Sequence, residues 1–160
     1  MWLKILFTTL LFYLLTLIQN SFFVHFNILG VVPNFIFILF FILVFFSSHK
    51  GLYSWEDLFY SIIAGFFIDI FTYSHFGISF VLLSIIAVIA KKLLSSLRQR
   101  KDKHSIVYFV PLFLIFLTIY DVLSISYWNI DWALLIKIIY SCIFAVIGFY
   151  IYKKTMGSRS

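Results

Sequence analysis

The positive charges of this chain alternate with its apolar stretches. Eleven of its twelve Lys and Arg residues lie in or beside every second gap, whereas the gaps around 20–33, 73–78 and 128–131 contain neither residue type. Cytoplasmic loops of membrane proteins carry an excess of Lys and Arg. The pattern therefore predicts a polytopic helix bundle with six transmembrane helices and with both termini in the cytoplasm. The exception is Lys137, which lies inside an apolar stretch.

The composition favours a protein that is almost entirely membrane-embedded. Of the 160 residues, 64% are hydrophobic and only 11% are charged, and the mean hydropathy is +1.10. A spanning helix takes about 20 residues, so six helices use about 120 residues and leave short connections. We predict an all-α fold in which residues 1–160 form a single integral membrane domain. The predicted spans are 3–20, 33–49, 56–74, 77–97, 105–127 and 131–152.

The net charge of +6 arises from the loops predicted to face the cytoplasm. Such loops contact the anionic headgroups of the lipid bilayer or an acidic cytoplasmic partner. Glu56 and Asp57 are expected at headgroup depth on the same side. Nucleic acid is excluded as a partner, because the aromatic residues that would stack on bases lie within the apolar stretches.

The first outer connection, 21–32, is apolar but is interrupted by His25, Asn27 and Gly30. It is too short to cross the bilayer and too apolar to be fully hydrated. We expect it to lie in the interface or to dip back into the bundle. Pro33 then suits the first turn of a helix, where its missing N–H has no intrahelical partner to lose.

Three charged residues fall within predicted spans: Asp69, Asp121 and Lys137. Because a charge in hydrocarbon costs about 2.5 to 3.5 kcal/mol on insertion scales, each should face the bundle interior. Asp121 and Lys137 are equally far from Asn129 in the turn between two antiparallel helices, so they should lie at similar depth. The sequence predicts one polar cluster of all three residues beneath the outer surface. Two alternatives stay open: Lys137 can snorkel outward, and the cluster can serve helix packing or an ion path.

Small residues share a helix face with one of these carboxylates. Ser61, Gly65 and Asp69 recur at intervals of four residues, which stacks them on one side of the third helix. Small residues on such a face allow a neighbouring helix to approach closely. We therefore expect a tight helix contact beside Asp69.

These residues carry a family resemblance. With Gly65 and Asp69 four residues apart and Gly77 eight residues further on, the chain resembles the MreD family of bacterial rod-shape-determining membrane proteins. A Pro-Asn pair opens the second span in that family, as Pro33 and Asn34 do here. An aspartate late in the fifth span, here Asp121, and the stretch 83–87 are also similar. The resemblance extends over the spacing of all six spans.

The resemblance implies a non-enzymatic scaffold of the cell-elongation machinery in the bacterial cytoplasmic membrane. The implied partners are MreC, the MreB filament system, and the RodA glycosyltransferase with its partner transpeptidase. The implied fold is similar to the six-helix substrate-binding subunits of energy-coupling-factor vitamin transporters. The implied site residues are Pro33, Asn34, Gly65, Asp69, Gly77 and Asp121.

Two other classes of function are weighed against this one. A vitamin-binding transporter subunit would use the cluster of Asp69, Asp121 and Lys137 beneath the apolar outer connection. An intramembrane enzyme has the least support, because the histidines lie in loops without metal-ligand spacing and no serine or cysteine is paired with a base in sequence. No cofactor or metal is predicted. The histidines are His25, His49, His75 and His104.

Overall fold

The computed structural model describes residues 2–23, 25, 27, 30–47, 54–72, 77–97, 106–124 and 132–157. Over these residues the chain forms six α-helices, which confirms the all-α prediction. The first helix continues directly into one π-helical turn at Ile18–Phe22. The helices are α1 at Trp2–Leu17, α2 at Phe35–Phe46, α3 at Trp55–Thr72, α4 at Ile78–Leu97, α5 at Ile106–Ser124 and α6 at Trp132–Gly157.

Four segments of the described chain are long and apolar enough to cross a membrane: Ile5–Phe22, Ile78–Ser96, Ile106–Ser124 and Trp132–Thr155. The chain is therefore a membrane protein. The second predicted span is much shorter than expected, since α2 has 12 residues. The third has 18 residues but includes three acidic side chains.

The shortness of α2 follows from how it begins. Asn34 has a non-helical backbone and its side-chain oxygen accepts a hydrogen bond from the Phe37 amide at 3.0 Å, which makes it the N-cap. Pro33 precedes this cap instead of occupying the first helical turn. At the other end the backbone leaves the helix at Ser47.

Although α2 is short, it lies at the centre of the bundle. It contacts all five other α-helices, and nine of its 12 residues are buried. Its aromatic rings pack against those of α5. The ring centroids of Phe37 and Phe41 lie 5.8 and 5.5 Å from that of Phe113, and the centroid of Phe45 lies 5.1 Å from that of Phe109. Since lipid tails are as apolar as these side chains, close packing and dispersion stabilise this core more than transfer from water does.

Only the end of the connection 21–32 enters the bundle among its described residues. Val31, Pro33 and Asn34 are buried among the helices, whereas His25 and Asn27 are exposed. The π-helical turn before this connection positions Gln19 so that its Oε1 accepts a hydrogen bond from the Phe35 amide at 3.0 Å. The start of α2 is therefore held inside the protein by a side chain from the end of α1.

Candidate functional site

The two charged residues that flank the last turn meet between α5 and α6. Lys137 Nζ donates a hydrogen bond to Asp121 Oδ1 at 2.7 Å. The Asp121 side chain is fully buried, whereas 30% of the Lys137 side chain is exposed. Lys137 thus pairs with Asp121, while part of its side chain remains exposed at the surface of the bundle.

Asp69 has a different role, because it closes the connection between α3 and α4. Its carboxylate accepts hydrogen bonds from the Gly77 amide at 2.6 Å and from the Ser79 amide at 3.2 Å. These amides lie at the start of α4, where a negative charge is stabilised by unpaired N–H groups and by the helix dipole. Gly77 has φ +96°, a conformation that glycine adopts without steric cost.

The predicted tight contact beside Asp69 lies one turn earlier on α3. A Cβ atom on Gly65 would lie 2.4 Å from Phe80 Cα and 2.5 Å from Phe80 N. Only a residue without a side chain allows the two backbones to approach this closely. Ser61 and Asp69 on the same face are also buried. The face of α3 predicted from residue spacing is therefore the face that packs on α4.

A hydrogen bond between two hydroxyl groups joins the start of α4 to the end of α5. The Ser79 and Tyr120 hydroxyl oxygens lie 3.1 Å apart, and Tyr120 directly precedes Asp121 in α5. Asp69 binds backbone amides of α4 and Asp121 binds Lys137, so these groups form a polar layer of separate contacts, and a single cluster of all three charges stays a prediction.

The same layer includes the start of α2. The Asn34 amide donates a hydrogen bond to Ser141 Oγ at 3.1 Å, and Ser141 lies one turn after Lys137 on α6. The Pro33 and Asn34 pair is therefore buried beside the polar face of α6. This layer, which we call the outer polar layer, consists of Gln19, Asn34, Asp69, Gly77, Ser79, Tyr120, Asp121, Lys137 and Ser141.

A second ion pair, between Asp57 and Lys91, lies at the opposite end of the bundle, and sequence analysis missed it. Lys91 Nζ is 3.5 Å from Asp57 Oδ1 and donates a hydrogen bond to the Ser47 carbonyl at 3.0 Å. Both side chains are almost completely buried. Asp57 is thus buried against α4, and its expected position at headgroup depth stays a prediction.

Asp57 is also fixed by its own helix terminus. Its Oδ2 accepts hydrogen bonds from the Ser54 hydroxyl at 2.8 Å and from the Ser54 amide at 3.1 Å, and the Ser54 hydroxyl accepts one from the Asp57 amide at 3.2 Å. This reciprocal arrangement is a capping box with aspartate in the usual glutamate position. The Ser-x-x-Asp spacing is the sequence pattern that indicates this capping box.

Asp121 Oδ2 is buried and makes no hydrogen bond within the described residues, so one acceptor of the outer polar layer is free to bind a donor. No group of three His, Cys, Asp or Glu side chains in the described part of the chain has a geometry suited to a metal ion. Comparisons with protein-family models, curated proteins and solved structures give no match.

Proposed function

We propose that this protein is an integral membrane scaffold of the bacterial cell-elongation machinery, of the MreD type, in the cytoplasmic membrane. One observation carries the proposal: three of the motif residues behind the resemblance, Gly65, Asp69 and Gly77, act together in the α3–α4 hairpin. Gly65 allows the two helices to touch, and Asp69 holds the amides of Gly77 and Ser79. The spacing of these residues thus matches the helix contact and the hydrogen bonds that they make in this chain.

The proposal includes six spanning helices with both termini in the cytoplasm. A 12-residue helix is about 18 Å long, which is shorter than the roughly 30 Å of a bilayer core. However, α2 is enclosed by protein, and Gln19, Ser141 and Lys91 bind backbone groups at its ends. Irregular backbone is tolerated at membrane depth where protein surrounds it. A short central helix can therefore complete a span together with its buried connections.

The acidic residues of α3 are compatible with the same topology. Asp69 is paired with amides at one end of the helix, and Asp57 is paired with Lys91 and Ser54 at the other. Charges inside a membrane face the bundle and pair with one another or with backbone groups. The two carboxylates, which lower the hydropathy of α3, thus have hydrogen-bond or ion-pair partners within the protein.

As a scaffold, the protein would act by binding other membrane proteins. The partners we propose are MreC, the MreB filament system, and RodA with its partner transpeptidase. The proposed fold is similar to that of the substrate-binding subunits of energy-coupling-factor transporters. In this protein we propose that the outer polar layer holds the helices together. The predominance of buried, mutually bonded polar groups supports a structural role for the outer polar layer.

Depletion in a rod-shaped, walled host cell tests this function. Cells that lose the protein should become rounded and wide, while glycan polymerisation by purified enzymes continues. Re-expression of the natural sequence should restore rods, and a Gly65→Leu variant that separates α3 from α4 should not. Normal cell shape after complete depletion would contradict the proposal.

One observation favours a second candidate, a subunit that binds a small molecule from outside. Asp121 Oδ2 is a buried acceptor without a hydrogen bond within the described residues, and it lies in the outer polar layer. A ligand with a hydrogen-bond donor would satisfy it. Native mass spectrometry of the purified protein should then detect a bound small molecule that is lost in Asp121→Asn. A ligand-free spectrum after gentle extraction would argue against this candidate.

A further inference from the structure

The ion pair of Asp121 and Lys137 leaves hydrogen-bonding capacity unused on both of its partners. The Asp121 side chain is fully buried, and its Oδ2 atom accepts no hydrogen bond from the described residues. The Lys137 ammonium carries three N–H donors, of which one binds Asp121 Oδ1 and the others bind no described residue. Buried polar atoms normally have a hydrogen-bond partner. The pair can therefore take both a donor at Oδ2 and an acceptor at Nζ.

The pair lies near the membrane interface at the Trp132 end of α6. Lys137 follows Trp132 by five residues, which is about 7.5 Å along the helix. Trp132 begins α6 and is 82% exposed, as is typical of an aromatic side chain at headgroup level. Side chains of a helix lean towards its N-terminus, so the Lys137 side chain extends towards Trp132 and the headgroups. The exposed part of Lys137 is thus within reach of a lipid headgroup.

The two charges of the pair favour a ligand that also carries two charges. The ammonium attracts an anionic oxygen, while the carboxylate attracts a cationic donor and repels an anion. A ligand with a phosphate alone would bind Lys137 but would face the Asp121 carboxylate without a donor for it. A headgroup with both a phosphate and a primary ammonium complements both partners through charge-assisted hydrogen bonds. Such a zwitterion also adds no net charge at membrane depth.

We propose that the pair of Asp121 and Lys137 binds the headgroup of an aminophospholipid of the phosphatidylethanolamine class. The phosphate accepts a hydrogen bond from Lys137 Nζ, and the headgroup ammonium donates one to Asp121 Oδ2. Because Oδ2 has no exposed surface, the ammonium reaches it beside the flexible Lys137 side chain, which is partly exposed and moves aside. The proposal rests on the second candidate function, since it names the ligand class of the same site, and it is independent of the role in cell elongation.

Native mass spectrometry of the full chain released from nanodiscs tests the ligand class. Two lipids with identical acyl chains serve as probes: phosphatidylethanolamine has N–H donors on its ammonium, and phosphatidylcholine has methyl groups instead. From nanodiscs with equal amounts of both, the protein should retain the ethanolamine lipid about tenfold more often, as expected for one hydrogen bond to a charged group. Equal retention of the two lipids would overturn the proposal, because Lys137 would then contact any phosphate.

Substitutions at the pair and beside it locate the bound lipid. Asp121→Asn should lower the ratio of retained ethanolamine lipid to choline lipid towards one, while a phosphate can still bind Lys137. Ala133→Trp places a large ring at an exposed position one turn before Lys137, on the approach from the interface, and should lower the ratio similarly. Leu135→Trp, at another exposed position of the same turn, should leave the ratio unchanged. An unchanged ratio in Ala133→Trp would overturn the proposed site.

Thermal unfolding in nanodiscs checks the fold of each variant. Ala133 and Leu135 are exposed, so both tryptophan variants should unfold like the natural sequence. If Asp121→Asn does not fold, the comparison of the two lipids on the natural chain and the pair of tryptophan variants still decide the proposal.

Soluble phosphoethanolamine separates the two sources of this headgroup chemistry. Added to the protein in nanodiscs of phosphatidylcholine alone, it should not be retained, because only the lipid is held at the depth of the pair by its acyl chains. Retention of phosphoethanolamine without a preference for the ethanolamine lipid would overturn the lipid as the ligand and support the second candidate function. A protein that retains neither of the lipids nor phosphoethanolamine would contradict both.

Discussion

Lys137 and Asp121 form a 2.7 Å ion pair in which the two partners have unequal access to solvent. The carboxylate is fully buried, and the lysine side chain reaches the surface. Removal of the lysine leaves a buried negative charge without its partner. Removal of the aspartate leaves an ammonium that can snorkel along its own side chain to the interface. The two residues therefore depend on each other to different degrees.

We predict that Lys137→Ala destabilises the protein more than Asp121→Ala does. Loss of one partner of a buried pair costs about 3 to 5 kcal/mol, and snorkelling should relieve part of this cost in Asp121→Ala. The double substitution should be milder than Lys137→Ala. Chemical unfolding in detergent micelles measures all three, with the exposed Lys153→Ala as the control. Simple addition of the two single effects in the double variant would show that the residues do not interact.

Two glycines provide a matched pair for helix packing. A Cβ on Gly65 would collide with the Phe80 backbone at 2.4 Å, whereas a Cβ on Gly148 would meet Ile42 Cδ1, the far end of a flexible side chain, at 2.8 Å. Gly65→Ala should therefore cost about 3 kcal/mol or more, and Gly148→Ala much less. The midpoints of chemical unfolding in micelles provide the comparison. Equal midpoints would mean that α3 and α4 can separate freely.

The extent of the helices was mostly predictable from sequence, but the arrangement of the bundle was not. Hydropathy places the bounds of all six helices within five residues of those observed. The central position of α2 could not be predicted, because its sequence is apolar on every side. In a membrane, polarity does not separate a helix buried in protein from one that faces lipid.

The same contrast holds for the two ion pairs. Asp121 and Lys137 were matched by their equal distance from a short turn. That criterion also fits Asp57 and Lys91, which lie 15 residues before the end of α3 and 13 residues after the start of α4. Both residues also lie near basic loops, where a charge needs no buried partner. Only the packing of α3 on α4 shows that these side chains turn inwards.

The contact between Asp69 and Gly77 should depend on both charge and backbone conformation. Asp69→Asn retains one acceptor oxygen but presents an amide group to the other N–H, so a loss of about 1.5 to 3 kcal/mol is expected. Gly77→Ala keeps the carboxylate but places an alanine at φ +96°, which should cost about 1 to 2 kcal/mol. Unfolding of both variants in micelles measures these losses.

Gly30→Ala is the control for the backbone effect, because Gly30 has φ +81° and open space around it. It should show the conformational cost without a disturbed carboxylate. A Gly77→Ala effect no larger than that of Gly30→Ala would mean that the alanine leaves the hydrogen bond between Asp69 and the backbone amide of residue 77 intact.

The proposed topology is tested by reporters that function only in the cytoplasm. A fusion after Lys101 and one at the C-terminus should be active, because positive loops remain on that side. Insertions at Asn27 and Asn129 should be inactive. The positions lie outside the helices that the structure describes, so an inserted domain does not interrupt one. Activity at Asn129 would remove the six-span topology, since α5 and α6 could not then each cross.

Neighbouring lysines on α4 test the inner ion pair most sharply. Lys91 is buried against Asp57 and donates to the Ser47 carbonyl at the end of α2, whereas Lys92 is exposed. Lys91→Met keeps the length of the side chain but leaves the carboxylate and the carbonyl without the ammonium. We expect a loss of about 3 to 5 kcal/mol for Lys91→Met and a change within about 0.5 kcal/mol for Lys92→Met. Chemical unfolding in micelles measures both.

Asp57→Asn combined with Lys91→Met should recover part of the loss, because no unpaired charge then remains in the bundle. Similar stability of the two single variants would mean that water reaches Asp57 and that the pair does not join α2, α3 and α4.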